Sequence, residues 1–312
     1  MEMYPLLFVP IVKEMIWGRE SWDVTCRPNE MSVIENGVYA GMAFDAYMDM
    51  DRVGTLGTRL ADTTRFPLLV KIITAVDTLS VQVHPDDDYA RRQSEADSHM
   101  RDSHVRDSGK SEMWYILEPP AEGNLIIGLK DGVDKKRFDN IIKTESISEH
   151  LNYLSVKAGD MVNIPAGLLH ALTPGTTLAE IQQNSDTTYR IYDYGRLGAD
   201  GKPRELHINH AMNVIDFGGR IPKEVTGSVT CPHFSVSKYI LEGTRSLTSD
   251  PEAFDILINV SGKGSETPLT LRYSGGETVL PPRRSVFIPA GLGEYDLLAN
   301  HPGALLKCSV PR

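Results

Sequence analysis

Two stretches of this chain run an apolar strand into the same turn. "GDMVNIPAGLLHAL" (Gly159 to Leu172) and "RRSVFIPAGLGEYDL" (Arg283 to Leu297) place Pro165 on Pro289, Ala166-Gly167 on Ala290-Gly291, and His170 on Glu294. Proline presets φ and glycine allows a sharp reversal, so each copy dictates a strand with an abrupt end. The repeat implies two related β-barrels in tandem, joined near "DFGGRIPKEVTGS" (Asp216 to Ser228). Only the first copy carries a histidine, so the chemistry is expected there. The second reads as a structural remnant that supports the first barrel or makes a homodimer contact.

The rest of the chain agrees with a mainly β fold. "FPLLVKIITAV", "LSVQVHP", "EMWYILE", "NLIIGLK", "TLAEIQQ", "YRIYDY", "FDILINVSG" and "GALLKCSV" are short runs of aliphatic and aromatic residues, punctuated by Gly, Pro, Asn and Asp. Such spacing suits a sandwich or barrel. Helical patterning is expected in two places only, Asp86 to Asp102 and Asp134 to Leu154. The expected division is residues 1–217, with N-terminal strands and small helical insertions, and residues 228–312.

A net charge of −10 excludes a global nucleic-acid footprint and means that any anionic ligand must be met by locally gathered cations. Cys26, Cys231 and Cys308 share no metal-like spacing and read as thiols in a reducing compartment. Lys13 and Glu14 interrupt the N-terminal apolar run, which also lacks a basic leader, so neither a signal peptide nor a membrane span is expected. The expected location is the cytoplasm.

Chemistry concentrates in three segments. In "LSVQVHP", Ser80, Gln82 and His84 share one face and Leu79, Val81 and Val83 the other, as on a barrel strand lining a polar cavity. "GKSEMWYIL" puts Lys110 and Glu112 on one face with Trp114, and "PAGLLHA" adds His170 after its turn. Gln82, His84, Glu112 and His170 together could bind a divalent transition metal; imidazole and carboxylate both suit zinc. A third segment, "EIQQNSDTTYRIYDYGR" (Glu180 to Arg196), is too polar for packing and too poor in Gly and Pro for an ordinary loop.

The spacing Gly159-x5-Pro165-x-Gly167-x2-His170 resembles the second motif of the cupins, and Gln82-x-His84 resembles the first. More narrowly, "SVQVHPDDDYA", "GKSEMWYIL", "IPAGLLHAL" and "EIQQNSDTTYRIYDYGR" resemble type I mannose-6-phosphate isomerases of the short bacterial kind, from about Tyr4 to Phe217. The resemblance implies two cupin-like, jelly-roll barrels and a zinc ion (Zn2+) bound by Gln82, His84, Glu112 and His170. It also implies a phosphosugar substrate and an essential arginine at Arg190, with Thr188, Arg190, Tyr192 and Tyr194 alternating onto one face. Glu180, ten positions earlier, is the leading candidate for the general base; a histidine or a metal-activated water could serve instead.

Candidates for the phosphate are Lys71, a lone charge inside "PLLVKIITAV", and Lys110, Arg196 and Ser80, the last two preferred. The chain departs from the family between Arg91 and Ser108, which is longer than expected and adds His99 and His104, and at Tyr194, where relatives often carry Trp. Rival readings are an iron-dependent cupin oxygenase, whose two-His, one-carboxylate set can be drawn from the same residues, and a non-catalytic metal-containing sugar-phosphate sensor.

Overall fold

Short alternating runs become antiparallel strands throughout, and they collect into two units. A computed structural model of the chain describes residues 1–96, 107–144, 146–198, 201–218, 222, 227–262 and 267–312. One unit comprises Met1–Lys13, Ser21–Ile72 and Val225–Arg312, the other Glu14–Glu20 and Ile73–Glu224. The architecture is mainly β, with curled antiparallel sheets, as the repeat and the short strand runs predict. Most of the expected joining segment, with His99 and His104, lies outside the described residues. No helix among the described residues is long and apolar enough to cross a membrane.

In the first unit the sheet runs, in order, Ser228–Thr230, Ser235–Thr248, Glu294–Ser309, Asp255–Asn259, Ser285–Ile288, Leu6–Val9 and Val33–Ile34. The second copy of the repeat supplies the Ser285–Ile288 strand, and the N-terminal strand pairs with it, Leu6 opposite Phe287. Behind this pairing five phenylalanines interlock. Phe287 lies 5.0 Å, centroid to centroid, from both Phe44 and Phe254, and Phe66 stacks on Phe254 at 5.0 Å. Phe8 closes on Phe44 at 4.7 Å. Edge-on and offset contacts of this kind add to the burial of the rings themselves.

The second unit has a five-stranded sheet ordered Leu151–Ser155, Asn124–Leu129, His170–Ala171, Val81–Val83 and Tyr189–Tyr192. Facing it are Met161–Ile164, Glu112–Glu118 and Thr177–Gln183, paired in that order. Trp114, Ile116, Leu125, Ile127, Val162, Ile164 and Leu178 fill the space between. The opposite side of the five-stranded sheet is closed by Phe138 and Ile141 from the helix Lys135–Thr144 and by Ala211 from the helix Ile208–Val214. The central strands of this sheet are therefore covered on both faces. A polar side chain on its inner face must find a partner or a ligand.

Two expectations change. The helix predicted over Asp134–Leu154 stops at Thr144, and Leu151–Ser155 is a strand paired with Asn124–Leu129. Its apolar residues fit both periods, and the open sheet edge decides in favour of the strand. Short helices at Phe44–Met50, Arg52–Leu56 and Ile208–Val214 also form where none was expected. The helix expected over Asp86–Asp102 is present as Asp87–Ala96, the part of that span beyond Ala96 lying outside the described residues, and the Asp86 carboxylate accepts from the Tyr89 N–H at 2.7 Å. Replacement Phe287→Ala should empty the centre of the phenylalanine cluster and lower stability by about 3–5 kcal/mol, read from the denaturant midpoint.

Candidate active site

Residues directly opposite in an antiparallel pair point to the same face. His170 lies opposite Gln82, and Gln82 opposite Arg190, so the three form one row across three strands on the inner face. From the facing strands Glu112 lies opposite both Ile164 and Gln182, and Trp114 opposite both Val162 and Glu180. His84 follows the Val81–Val83 strand and is tied to the Pro-Ala-Gly turn, the Gly167 N–H donating to the His84 carbonyl at 2.9 Å. Gly167 has φ +85°, and a Cβ there would come within 2.9 Å of the Val214 carbonyl oxygen. The turn that presents His170 and braces His84 therefore requires glycine.

The row and the facing strand meet in a cluster. His84, Glu112 and His170 are each 1% exposed, and a ligand atom from each lies within 4.8 Å of the others. His84 Nε2 is 3.2 Å from Glu112 Oε1, and His170 Nε2 is 3.7 Å from Glu112 Oε2. Both imidazoles are oriented from behind: His84 Nδ1 bonds the Thr187 carbonyl at 2.9 Å, His170 Nδ1 the Leu168 carbonyl at 2.8 Å. A carbonyl can only accept, so each Nδ1 carries the proton and each Nε2 presents a lone pair toward Glu112. Gln82 Nε2 lies 3.5 Å from His170 Nε2, which puts a fourth candidate donor group beside the three.

Electrostatics suit a cation. Burial, then the nearby Lys110 charge, depresses His84 to about 3, and burial lowers His170 as well. Burial would raise the Glu112 carboxyl, but Lys110 and the two histidines outweigh it and hold it well below the usual carboxylate range. The cluster thus offers two neutral imidazoles and one carboxylate at neutral pH, the protonation states that a divalent metal needs. Lys110 Nζ sits 2.6 Å from Glu112 Oε1 and 3.4 Å from His84 Nε2. Among the described residues, no hydrogen bond of good geometry reaches either Glu112 oxygen. The residues fit zinc or another borderline divalent ion in type and number.

The other expected residues fall as follows. Arg190 is half-buried; its Nη1 donates to the Glu205 carbonyl at 2.8 Å and its buried Nε finds no acceptor among the described residues. Burial, then the like charge of Arg204, lowers its pKa from the usual arginine value. Glu180 is 4% exposed and accepts from the Trp114 indole N–H at 3.0 Å. Trp114 in turn meets the His170 ring edge-on at 5.3 Å. Ser80 is buried, its hydroxyl 3.5 Å from Gln82 Oε1. Lys71 belongs to the first unit, where its ammonium lies 4.7 Å from the centre of the Trp22 ring.

The expected alternation of Arg190, Tyr192 and Tyr194 onto one face fails. The register shifts after Arg190, so Tyr192 lies opposite Val81, whose side chain points to the other face from Gln82. Tyr194 has a positive φ of 57° in the turn that follows. Beyond that turn Arg196 donates to Asp193 Oδ1 at 2.6 Å and to Asp77 at 3.2 Å. Asp193, 5% exposed, also receives Arg204, an arrangement that sequence parity could not show. Gln182, fully buried opposite Glu112, was likewise missed as a site-lining residue; its amide nitrogen donates to the Gln183 and Ser185 carbonyls, and Oε1 has no partner among the described residues.

Residues 9–121 match the family model described as phosphomannose isomerase type I, catalytic domain. The chain is 34% identical to mannose-6-phosphate isomerase ManA of Bacillus subtilis, over 94% of this chain and 95% of that one. It is 33% identical to mannose-6-phosphate isomerase of Streptococcus mutans, over 90% of this chain and 88% of that one. A crystal structure of the mannose 6-phosphate isomerase from Bacillus subtilis superposes with a TM-score of 0.82 at 28% identity, covering 98% of this chain and 99% of the other. A phosphomannose isomerase from Salmonella typhimurium, 16% identical, shares the fold with a TM-score of 0.76.

Two measurements bear on this cluster. Glu112→Gln should keep the fold and weaken zinc binding by at least the roughly 10–100-fold that loss of a supporting contact costs, read by competition against a chromophoric chelator. In the metal-free protein, His84 and His170 resist protonation when folded but take up protons near pH 6.5 when unfolded. Their contribution to stability is complete above about pH 6.5 and declines as pH falls below it, so the metal-free unfolding midpoint should drop from pH 7 to pH 5. A divalent metal that binds the neutral imidazoles should flatten that decline.

Proposed function

This chain belongs to the type I phosphomannose isomerases, and from that membership and its metal cluster we propose that it interconverts mannose 6-phosphate and fructose 6-phosphate with zinc held by Gln82, His84, Glu112 and His170. As an enzyme it is an aldose–ketose isomerase acting on mannose 6-phosphate. The observation that supports the reading is the row His170–Gln82–Arg190, in which an arginine lines up across neighbouring strands with two of the candidate metal ligands.

The reaction moves a proton from C2 of the aldose to C1 of the ketose and a second from the C2 hydroxyl to the C1 oxygen, through an enediol-type intermediate, and negative charge develops on the two sugar oxygens. Zinc, when bound, supplies Lewis acidity toward those oxygens without redox chemistry. Arg190 remains a cation even with its pKa lowered, and stabilises the developing charge rather than accepting a proton. Glu180 is the proposed base. It is buried, and the Trp114 indole orients one of its oxygens. Ser80 and Arg196, with Lys110, are the proposed phosphate contacts, and Arg196 must release Asp77 to serve; Lys71, a further candidate from the sequence, packs on Trp22 in the first unit. A phosphorylated substrate and the three thiols suit a cytoplasmic enzyme.

The test is a coupled assay of fructose 6-phosphate formation before chelation, after it, and with zinc restored. Turnover should vanish with the metal and return with zinc. Arg190→Ala should lower kcat by about 10²–10³-fold while the bound zinc is retained. Folded, zinc-loaded protein without turnover would overturn the proposal and bring the oxygenase and sensor readings forward.

A further inference from the structure

His207 breaks a local rule. It stands just before the helix Ile208–Val214, where Ser, Thr, Asn or Asp usually caps the first N–H groups, and its side chain makes no capping bond. Its Nδ1 instead accepts from the Arg190 main-chain N–H at 3.1 Å, while its own N–H donates to the Arg190 carbonyl at 2.7 Å. The Glu205 carbonyl, two residues earlier, accepts from Arg190 Nη1 at 2.8 Å. One short segment thus engages Arg190 at its main-chain donor, its main-chain acceptor and its side chain.

Arg190 needs that support. Its strand ends the five-stranded order, so no further strand in that sheet satisfies its outward N–H and C=O, and the register shifts immediately after it. An edge strand with a bulge is where side-chain direction is least well fixed. The helix that follows His207 is itself anchored to the strand. His210 stacks on Tyr189 at 4.9 Å with an 11° interplanar angle, and its Nδ1 lies 3.0 Å from the Tyr89 hydroxyl. A broken capping rule beside a compensating long-range contact points to function.

We propose that His207 is the positioning residue for Arg190: it fixes the arginine main chain so that the side chain leaves the edge strand on the face shared with Gln82 and His170. The proposal rests on the reading of Arg190 given above. His207 accepts at Nδ1 only while that nitrogen is unprotonated. Burial, then the charge of Arg190, lowers its pKa, with His210 acting the same way and Glu205, 3.9 Å from Nε2, opposing.

The experiment compares zinc-loaded wild type, His207→Ala and His207→Asn by steady-state kinetics, thermal unfolding, and hydrogen exchange at the Arg190 amide. His207→Ala should expose that amide and lower kcat roughly 10–100-fold, with KM and bound zinc nearly unchanged. Asn Oδ1 can stand where Nδ1 stands, so His207→Asn should restore both protection and kcat; it also serves if the alanine variant folds poorly. An Arg190 amide that loses protection while kcat stays at the wild-type level overturns the proposal. So does a protected amide with kcat depressed equally in both variants, or an alanine variant that alters neither. An inactive wild type would instead overturn the isomerase reading, and amide exchange would still show whether His207 fixes Arg190.

Discussion

A carboxylate buried at the centre of a β unit must be neutralised, and Glu112 sets the terms for everything around it. Its charge is met by Lys110 at 2.6 Å and faced by two imidazoles whose proton-free nitrogens point toward it. Replacing such a group with well-packed apolar residues would often stabilise the fold, so a buried cluster like this is poor evidence for stability and better evidence for a ligand. The second unit is arranged accordingly. The row from His170 to Arg190 and the Glu112–Gln182 pair supply polar groups at one end of the inner face, while Leu125, Ile127, Ile116 and Leu178 fill the rest with hydrocarbon.

Side-chain parity made much of this site legible in advance. Gln82 and His84 share a face because a strand alternates, and the Pro165–Gly167 turn marks where His170 must emerge. Arg190 was placed by resemblance alone, and parity failed two residues beyond it because a bulge cannot be read from alternating residues. Leu151–Ser155 reads equally as the end of a helix, since its partner strand is distant in sequence and local spacing carries no trace of it. The pairing of Leu6–Val9 with Ser285–Ile288 was illegible for the same reason. His207 stayed hidden on other grounds: its neighbours suggest an ordinary helix start, and its contact is with a main-chain N–H seventeen residues away.

The repeat can be followed into the first unit, where the same scaffold reached a different electrostatic solution. Ile164 lies opposite Glu112; its counterpart Ile288 lies opposite Asp255. Glu112 is paired on its other side with Gln182, and Asp255 with Ser309; two residues before these stand Glu180 and Lys307. A buried carboxylate therefore persists at the equivalent register. Here, however, Lys307 Nζ lies 2.9 Å from Asp255 and the Ser309 hydroxyl donates at 2.7 Å. The position matching His170 is the exposed Glu294. A lysine in place of Glu180 and a glutamate in place of His170 leave an internal ion pair where the second unit gathers imidazoles. Burial still raises Asp255 despite Lys307, whereas Glu112, surrounded by three nitrogen groups, is held low. At this register the difference between the two units thus reduces to which side chains neutralise one buried carboxylate, on strands whose pairing is otherwise the same.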